Sequence, residues 1–341
     1  MIGIVCHKYD FLFSKRWIEY CDINNIQYKI IDCYKNDIID QVNNCDIIMW
    51  HHSHMNPKDV LFAKQLLFSL EHAGKIVFPD FKTNWHFDDK LGQKYLLESM
   101  GVPLVPTYVF FDKKEAFEWI GNTKFPKVFK LRRGAGSWNV SLVNTKRNAI
   151  KLVEIAFGKG FSQYNSFQVI KEDWRKYKLG LLDTTAMLKA LIRIYFEPDY
   201  SKNIGRERGY VYFQDYIENN EYDVRVIVID KKAFAIKRIN RKNDFRASGS
   251  GNILYEKNNF KDLIIKLSFD FAKRLQTQCV AFDYVYQNEK PLVVEISYGF
   301  ASKVYDKCSG YWDNEMNWHE GTFNPYGWMV DEVLDLLDKK K

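Results

Sequence analysis

Short apolar runs alternate with amphipathic stretches throughout residues 1–105, a pattern that buries its runs as strands of a helix-covered sheet. Met1–Cys6 predicts a buried strand, Phe13–Asn24 a helix, Gln27–Cys33 a second strand and Cys45–Trp50 a third. Pro57–Ala73 has helical spacing and stops at Gly74, a natural C-terminal signal, after which Lys75–Phe78 reads as a strand broken by Pro79. These alternations describe a small doubly wound α/β domain. The region carries no glycine-rich dinucleotide fingerprint, so no cofactor is assigned to it.

Further along, a helix is expected from Asp88 to Met100, closed by Gly101-Val102-Pro103. From Thr107 short strands dominate, at Pro106–Phe111, Phe125–Leu131 and Val140–Leu142, and a long helical stretch is expected at Lys171–Leu191. Strand patterns return at Val211–Ile217, Asp223–Ile229, Lys232–Asn240, Val280–Tyr286 and Pro291–Ile296, with a helix at Phe260–Gln276 and another near Trp328–Leu337. At 341 residues and 46% hydrophobic, the chain exceeds what one core of ~250–300 residues encloses. We therefore expect units at 1–105, 106–210 and 211–341.

The formal charge of +7 suits anionic substrates such as nucleotides, but Lys and Arg are interspersed with acids rather than gathered into a stripe, so no nucleic-acid partner is expected. The six cysteines include no C-x-x-C pair and several sit in apolar runs, which reads as reduced core thiols in a cytoplasmic protein. No basic leader with an apolar core is present, and no run approaches the ~20 apolar residues of a membrane span, so no membrane partner is expected.

Four segments carry chemistry. Val280–Tyr286 holds Asp283, and after the polar turn Gln287–Lys290 the strand Pro291–Ser297 holds Glu295. A short turn makes these strands antiparallel neighbours, so the two carboxylates can oppose each other, and a divalent cation would relieve their repulsion. Period two puts Ser297 on the face of Glu295. The alternative is a hairpin whose acids face solvent or pair with Lys and Arg. The second segment runs from the lysine-bearing strand Phe125–Leu131 into Arg132-Arg133-Gly134-Ala135-Gly136-Ser137-Trp138-Asn139, where glycines let backbone N–H groups converge on an anion and Lys130 adds a point charge. In the third, Gln214-Asp215-Tyr216-Ile217 ends in a polar connector carrying Glu221, able to read a purine edge and accept ribose hydroxyls. The fourth is the basic run Arg238–Gly251, in which Arg238 and Arg246 are candidate phosphate or carboxylate binders. Each of the last three has an ordinary counterpart, a basic hairpin, a surface turn or a solvated charge run. His51-His52-Ser53-His54 beyond a strand end reads as a polar loop, with a substrate or metal role as its alternative. The aromatic tail Gly310–Gly321 reads as a packed cap, with stacking on a sugar or flat acceptor as its alternative.

In this order the segments resemble the ATP-grasp superfamily, the likeness being greatest to ribosomal-protein glutamate ligases and glutathione synthetases and more distant to D-alanine–D-alanine ligases. The resemblance spans residues 85–300 and begins at Asp89-Lys90, Leu96-Leu97 and Gly101-Val102-Pro103-Leu104-Val105-Pro106. It implies α/β and α+β architecture, an ATP-grasp fold in which an N-terminal doubly wound domain precedes two α+β subdomains clasping ATP. It implies that Lys90, Lys130, Gly134, Gly136, Ser137, Gln214, Asp215, Tyr216, Ile217 and Glu221 bind the nucleotide. Asp283, Glu295 and Ser297 would hold Mg2+, and Arg225, Arg238 and Arg246 are the catalytic candidates. Two departures stand out: Trp138-Asn139 where family loops carry another glycine, and Ser297 where the last metal ligand is usually Asn. The implied reaction joins a small carboxylate to an amine through an acyl-phosphate, with a uronic-acid sugar nucleotide from a surface-glycan pathway as one candidate substrate and a homodimer as one candidate assembly. The rivals are a kinase of the same fold that phosphorylates a hydroxyl, and a nucleotide-binding regulatory module without turnover.

Overall fold

The computed structural model describes residues 1–6, 12–133, 139–163, 205–241, 244–247 and 249–341, with isolated positions 170, 174, 177, 183 and 185. Gly134, Gly136 and Ser137 lie outside the described residues, as does the expected helical stretch at 171–191 apart from isolated positions. The chain divides into two units, Met1–Val105 with Ile217–Lys341, and Pro106–Tyr216.

The first unit begins with β1 (Ile2–Val5), α1 (Ser14–Ile23), β2 (Tyr28–Ile31), α2 (Ile38–Val42), β3 (Ile47–Met49), α3 (Pro57–His72), β4 (Ile76–Phe78), α4 (Phe81–Asn84) and α5 (Lys90–Ser99). All four strands run parallel in the order β2-β1-β3-β4, as the alternation of the first hundred residues demands. Local chemistry sets the helix starts. Asn56 accepts from the Lys58 N–H with Pro57 at the first helical position of α3, and Asp89 accepts from the Gly92 N–H to start α5.

The second unit contains β5 (Thr107–Phe110), α6 (Lys113–Asn122), β6 (Lys127–Lys130), β7 (Val140–Val143), α7 (Lys146–Phe157), β8 (Phe161–Ser162), β9 (Arg206–Glu207) and β10 (Val211–Asp215). Its main sheet has the order β5-β10-β6-β7. α6 and α7 stand where the sequence reading gave only strands. Asp112 and Thr145 cap them, and Ala116/Ile120 and Ala149/Val153 sit four apart on their buried faces. These faces cover the side of the sheet that carries Phe129, Val211 and Phe213.

The first unit resumes with β11 (Tyr222–Ile229), β12 (Lys232–Ile239), β13 (Ile253–Leu254), α8 (Asp262–Leu275), β14 (Cys279–Gln287), β15 (Lys290–Ser297), α9 (Ser302–Tyr305), β16 (Gly310–Asp313), β17 (Trp318–Glu320) and α10 (Pro325–Lys340). The strands form an antiparallel sheet in the order β15-β14-β11-β12-β16-β17, with β13 beside β12. One face, with Val224, Val226, Val280, Phe282 and Tyr284, packs on α8. The other, with Ile227, Ile229, Phe234, Cys279 and Ala281, shares a core with β1, β3, α1 and α10. The aromatic tail folds as the β16–β17 hairpin, with Tyr311 stacked on His319 at 4.8 Å and Trp312 against Trp318 at 4.6 Å, which is the packed cap. Among the described residues no helix is long and apolar enough to cross a membrane.

Candidate functional site

Asp283 and Glu295 are register partners across β14 and β15, so their side chains share one face of the sheet. A bulge makes this possible. The ladder shifts between Asp283 and Tyr284, leaving Val294 as an extra residue, so Val293 and Ile296 stay in the α8 core while Glu295 and Ser297 turn to the opposite face. Arg225 lies directly across from Asp283 on β11, and Arg238 across from Asp223 on β12. Period two therefore gathers Asp223, Arg225, Arg238, Asp283, Glu295 and Ser297 at one end of the face whose remainder is apolar core.

The pairing is dense. Arg225 donates from Nε and a terminal nitrogen to both oxygens of Asp283 at 2.7 and 2.9 Å. Arg238 grips Asp223 in the same fork at 2.6 and 2.8 Å and gives a further bond of 2.8 Å to Asp283. Burial pushes the Asp283 carboxyl upward, but the Arg225 and Arg238 guanidiniums outweigh it and hold it below the ordinary carboxylate range. Asp223 moves the other way, raised by burial and by its neighbour Asp283 against the pull of Arg238. Burial lowers Arg225, but Asp283 and Tyr305 more than compensate and keep it charged. Tyr305, on α9 and 5% exposed, contacts Arg225 through its hydroxyl. Lys90, first residue of α5 and 4% exposed, brings its Nζ to 3.4 Å from Glu295 Oε1. The Pro103–Val105 segment that follows α5 is bonded to Val293 of β15, which fixes that approach. Arg246 instead forks onto Asp244 in its own loop, at 2.9 and 2.6 Å.

The donor set fits one magnesium. A carboxylate offers about four lone-pair sites. Asp283 has three bonds from the two arginines, and Glu295 has its contact with Lys90 and a second oxygen beside it. Magnesium needs only one or two carboxylates and completes its octahedron with water and phosphate. Among the described residues no three His, Cys, Asp or Glu side chains group as a self-sufficient cage. Ser297 is a weaker donor: its Oγ donates to the Gly299 carbonyl at 3.0 Å and accepts from the Gly299 N–H at 3.2 Å.

In the second unit, Gln214 of β10 faces Thr107 of β5, and Tyr212 faces Lys130 of β6. The amide of Gln214 donates to Thr107 Oγ1 at 3.1 Å and accepts from Lys130 Nζ at 2.6 Å, which orients both the amide and the lysine. Lys130 is 5% exposed, a buried cation whose described bond is to a neutral acceptor. Asp215 turns to the other face of that sheet, where Lys127 binds it at 2.5 Å beside Tyr108 and Trp119. Tyr216 and Ile217 are half-buried, and Glu221 is an exposed carboxylate before β11.

Sequence reasoning gave neither Thr107 nor Tyr305 a role in the site, and both act through pairings between distant segments that no local pattern reports. His51 and His52 are 5% and 4% exposed and line the core under Tyr298 rather than a polar loop. His51 Nδ1 accepts from the Phe13 N–H at 3.1 Å, and His52 Nε2 meets Asn84 Oδ1 at 2.8 Å.

Residues 201–311 match the RimK-like ATP-grasp domain family. No curated protein sequence matches the chain. Among solved structures, a RimK-domain ATP-grasp protein from Sphaerobacter thermophilus is 15% identical, with 98% of this chain and 99% of that one covered and a TM-score of 0.57. The ATP complex of D-alanine–D-alanine ligase from Bacillus anthracis is 13% identical, covering 100% and 98%, with a TM-score of 0.57. N5-carboxyaminoimidazole ribonucleotide synthetase from Thermotoga maritima is 13% identical, covering 98% and 75%, with a TM-score of 0.58. The fold is ATP-grasp.

Proposed function

We propose that this ATP-grasp chain is an ATP- and magnesium-dependent ligase that joins a small-molecule carboxylate to an amine. The observation that carries the reading is the opposed Asp283–Glu295 pair, set in register on one sheet face and ringed by Arg225, Arg238 and Lys90. Such an array suits a reaction whose main demand is charge neutralisation and alignment of phosphates. In the reaction a carboxylate oxygen attacks the γ-phosphorus of ATP and the bond to ADP breaks. The amine nitrogen then attacks the acyl carbon, phosphate leaves, and the nitrogen gives up a proton. Lys130, held by Gln214, and Lys90 serve as phosphate-binding cations. The face of β10 bearing Gln214 receives the base, and Glu221 accepts the ribose hydroxyls. Asp215 supports that strand through Lys127 rather than through its own contact with the nucleotide. Arg238 steadies the transferred phosphoryl group, and Arg225 acts as the counter-ion that keeps Asp283 ionised. Arg246, forked onto Asp244 in its own loop, is the other candidate anion binder. Magnesium held by Glu295 and Asp283 would supply charge neutralisation at the β- and γ-phosphates.

Cys21, Cys33, Cys45, Cys279 and Cys308 are buried thiols, which supports a reducing, cytoplasmic setting. A sugar nucleotide bearing a uronic acid remains one of the acids to be tried, alongside amino acids and short peptides. The test is ADP release across pairs of acids and amines, with mass spectrometry of the product. The ligase reading expects an amide that requires both partners. A phosphorylated hydroxyl formed without an amine would select the kinase. Glu295→Gln is expected to lower turnover by about two orders of magnitude with the melting temperature kept. Unchanged turnover in that variant would remove Glu295 from the reaction.

A further inference from the structure

We infer that this chain takes one divalent cation with its nucleotide, centred on Glu295, and has no place for a second; the inference rests on the ATP–magnesium reading above. Two-metal phosphoryl-transfer sites hold ions ~3.5–4 Å apart, and each ion needs a ligand of its own beside any shared carboxylate. The residue in position to serve a second ion is Ser297, two residues beyond Glu295 on the same face. Its single proton goes to the Gly299 carbonyl and one lone pair to the Gly299 N–H, at 3.0 and 3.2 Å. What remains is one lone pair of a neutral hydroxyl, in competition with water for a hard cation.

The turn that withdraws Ser297 is held from beneath. Tyr298 is fully buried, 4.5 Å from the Phe87 ring and 5.6 and 5.7 Å from the His51 and His52 rings. Its carbonyl accepts from Cys279 Sγ at 3.4 Å. A Cβ on Gly299 would stand 3.0 Å from His51 Nε2 and 3.4 Å from Phe87, so the backbone there is pressed against that wall. His51 in turn is stacked on Phe13 at 3.7 Å. Turning the Ser297 hydroxyl toward an ion would give up both bonds to Gly299 on this braced turn. The histidines thus brace the metal-facing turn and are not themselves ligands.

Charge points the same way. Asp223, Asp283 and Glu295 are matched by Arg225, Arg238 and Lys90, so the protein side of the site is already neutral. One divalent ion can be offset by nucleotide phosphates, but among the described residues a second would find no further carboxylate grouped with this pair. The contrast with the Asn usual at this position in the resembling ligases makes Ser297 the deciding residue.

The test uses the full chain, a non-hydrolysable ATP analogue and Mn2+ in place of magnesium. Calorimetry counts ions, and electron paramagnetic resonance reports whether two of them are spin-coupled. One Mn2+ per analogue-bound chain and no coupled pair is the expected result. Two ions, or a coupled pair, in the unaltered chain would overturn the inference while leaving nucleotide binding in place. Failure of the analogue itself to bind would instead overturn the ATP reading and the inference with it. Ser297→Asn is expected to add the second ion and the coupled signal, and a folded Ser297→Asn chain that still takes one ion would refute Ser297 as the cause. Ser297→Ala is expected to keep one ion with affinity within about two-fold, because water already competes with this hydroxyl. A ten-fold or greater loss of affinity there would show that Ser297 is a ligand.

Discussion

Acidification below neutrality should destabilise the first unit through two buried histidines, whose share of the effect can be worked out. His52 and His86 are 4% and 1% exposed, and burial drives each imidazole down to about 4, with the Lys64 ammonium adding to it. For His52 the bond to Asn84 works in the opposite direction without prevailing. For His86 the Lys82 backbone opposes only weakly, and among the described residues neither ring nitrogen meets a partner at hydrogen-bonding geometry. A histidine kept neutral in the fold but titrating near 6.5 when unfolded contributes stability that is complete above the unfolded value. That stability is lost as pH falls from about 6.5 toward 4, because the unfolded chain takes up protons first. Between pH 7 and pH 5 the linkage relation gives a loss of about 2 kcal/mol per histidine, or about 4 kcal/mol for the pair. The assay is urea unfolding at pH 7, 6 and 5, read as the shift in midpoint at constant slope. His86→Phe keeps a ring of similar shape and removes the titration, so about half of the pH dependence should vanish. Stability at pH 7 should hold or rise, since two buried nitrogens without partners carry a desolvation cost of about 1–3 kcal/mol. A chain that loses less than ~1 kcal/mol between pH 7 and 5, or a His86→Phe variant with an unchanged pH slope, would refute the reasoning.

Other outcomes follow from the same contacts. Asp283→Asn leaves two buried guanidiniums short of a carboxylate and should cost about 3–5 kcal/mol in urea unfolding; a loss under ~1 kcal/mol would show the arginines finding other partners. The Asp283 carboxyl is held below its usual range, so its contribution is present above pH ~4 and disappears only as pH falls through that lower value, separable from the histidine effect. Lys130→Met removes the cation bonded to Gln214 and should weaken binding of the ATP analogue about ten-fold or more with the melting temperature little changed, measured by calorimetry.

Local periodicity was enough to read the doubly wound first hundred residues, the start of α3 at Pro57 and the β14–β15 hairpin with its two acids, because each depends on residues near one another in the chain. That the two strands pair was legible for the same reason, but the turn alone would set Asp283 opposite Val294, and only the bulge brings Glu295 into register with it. Who neutralises those acids was not legible. Arg225 reaches Asp283 across 58 residues, and Lys90 arrives at Glu295 from the start of a separate helix. The bulge at Val294 depends on β15 serving two cores at once, and α6 and α7 form because the sheet beneath them needs a cover. Motif order in the sequence could nominate the site's residues, since spacing along the chain is a local property. Only the folded sheet decided which of them are committed to each other, because that depends on strand order, pleat and burial, all set by contacts between segments far apart in sequence.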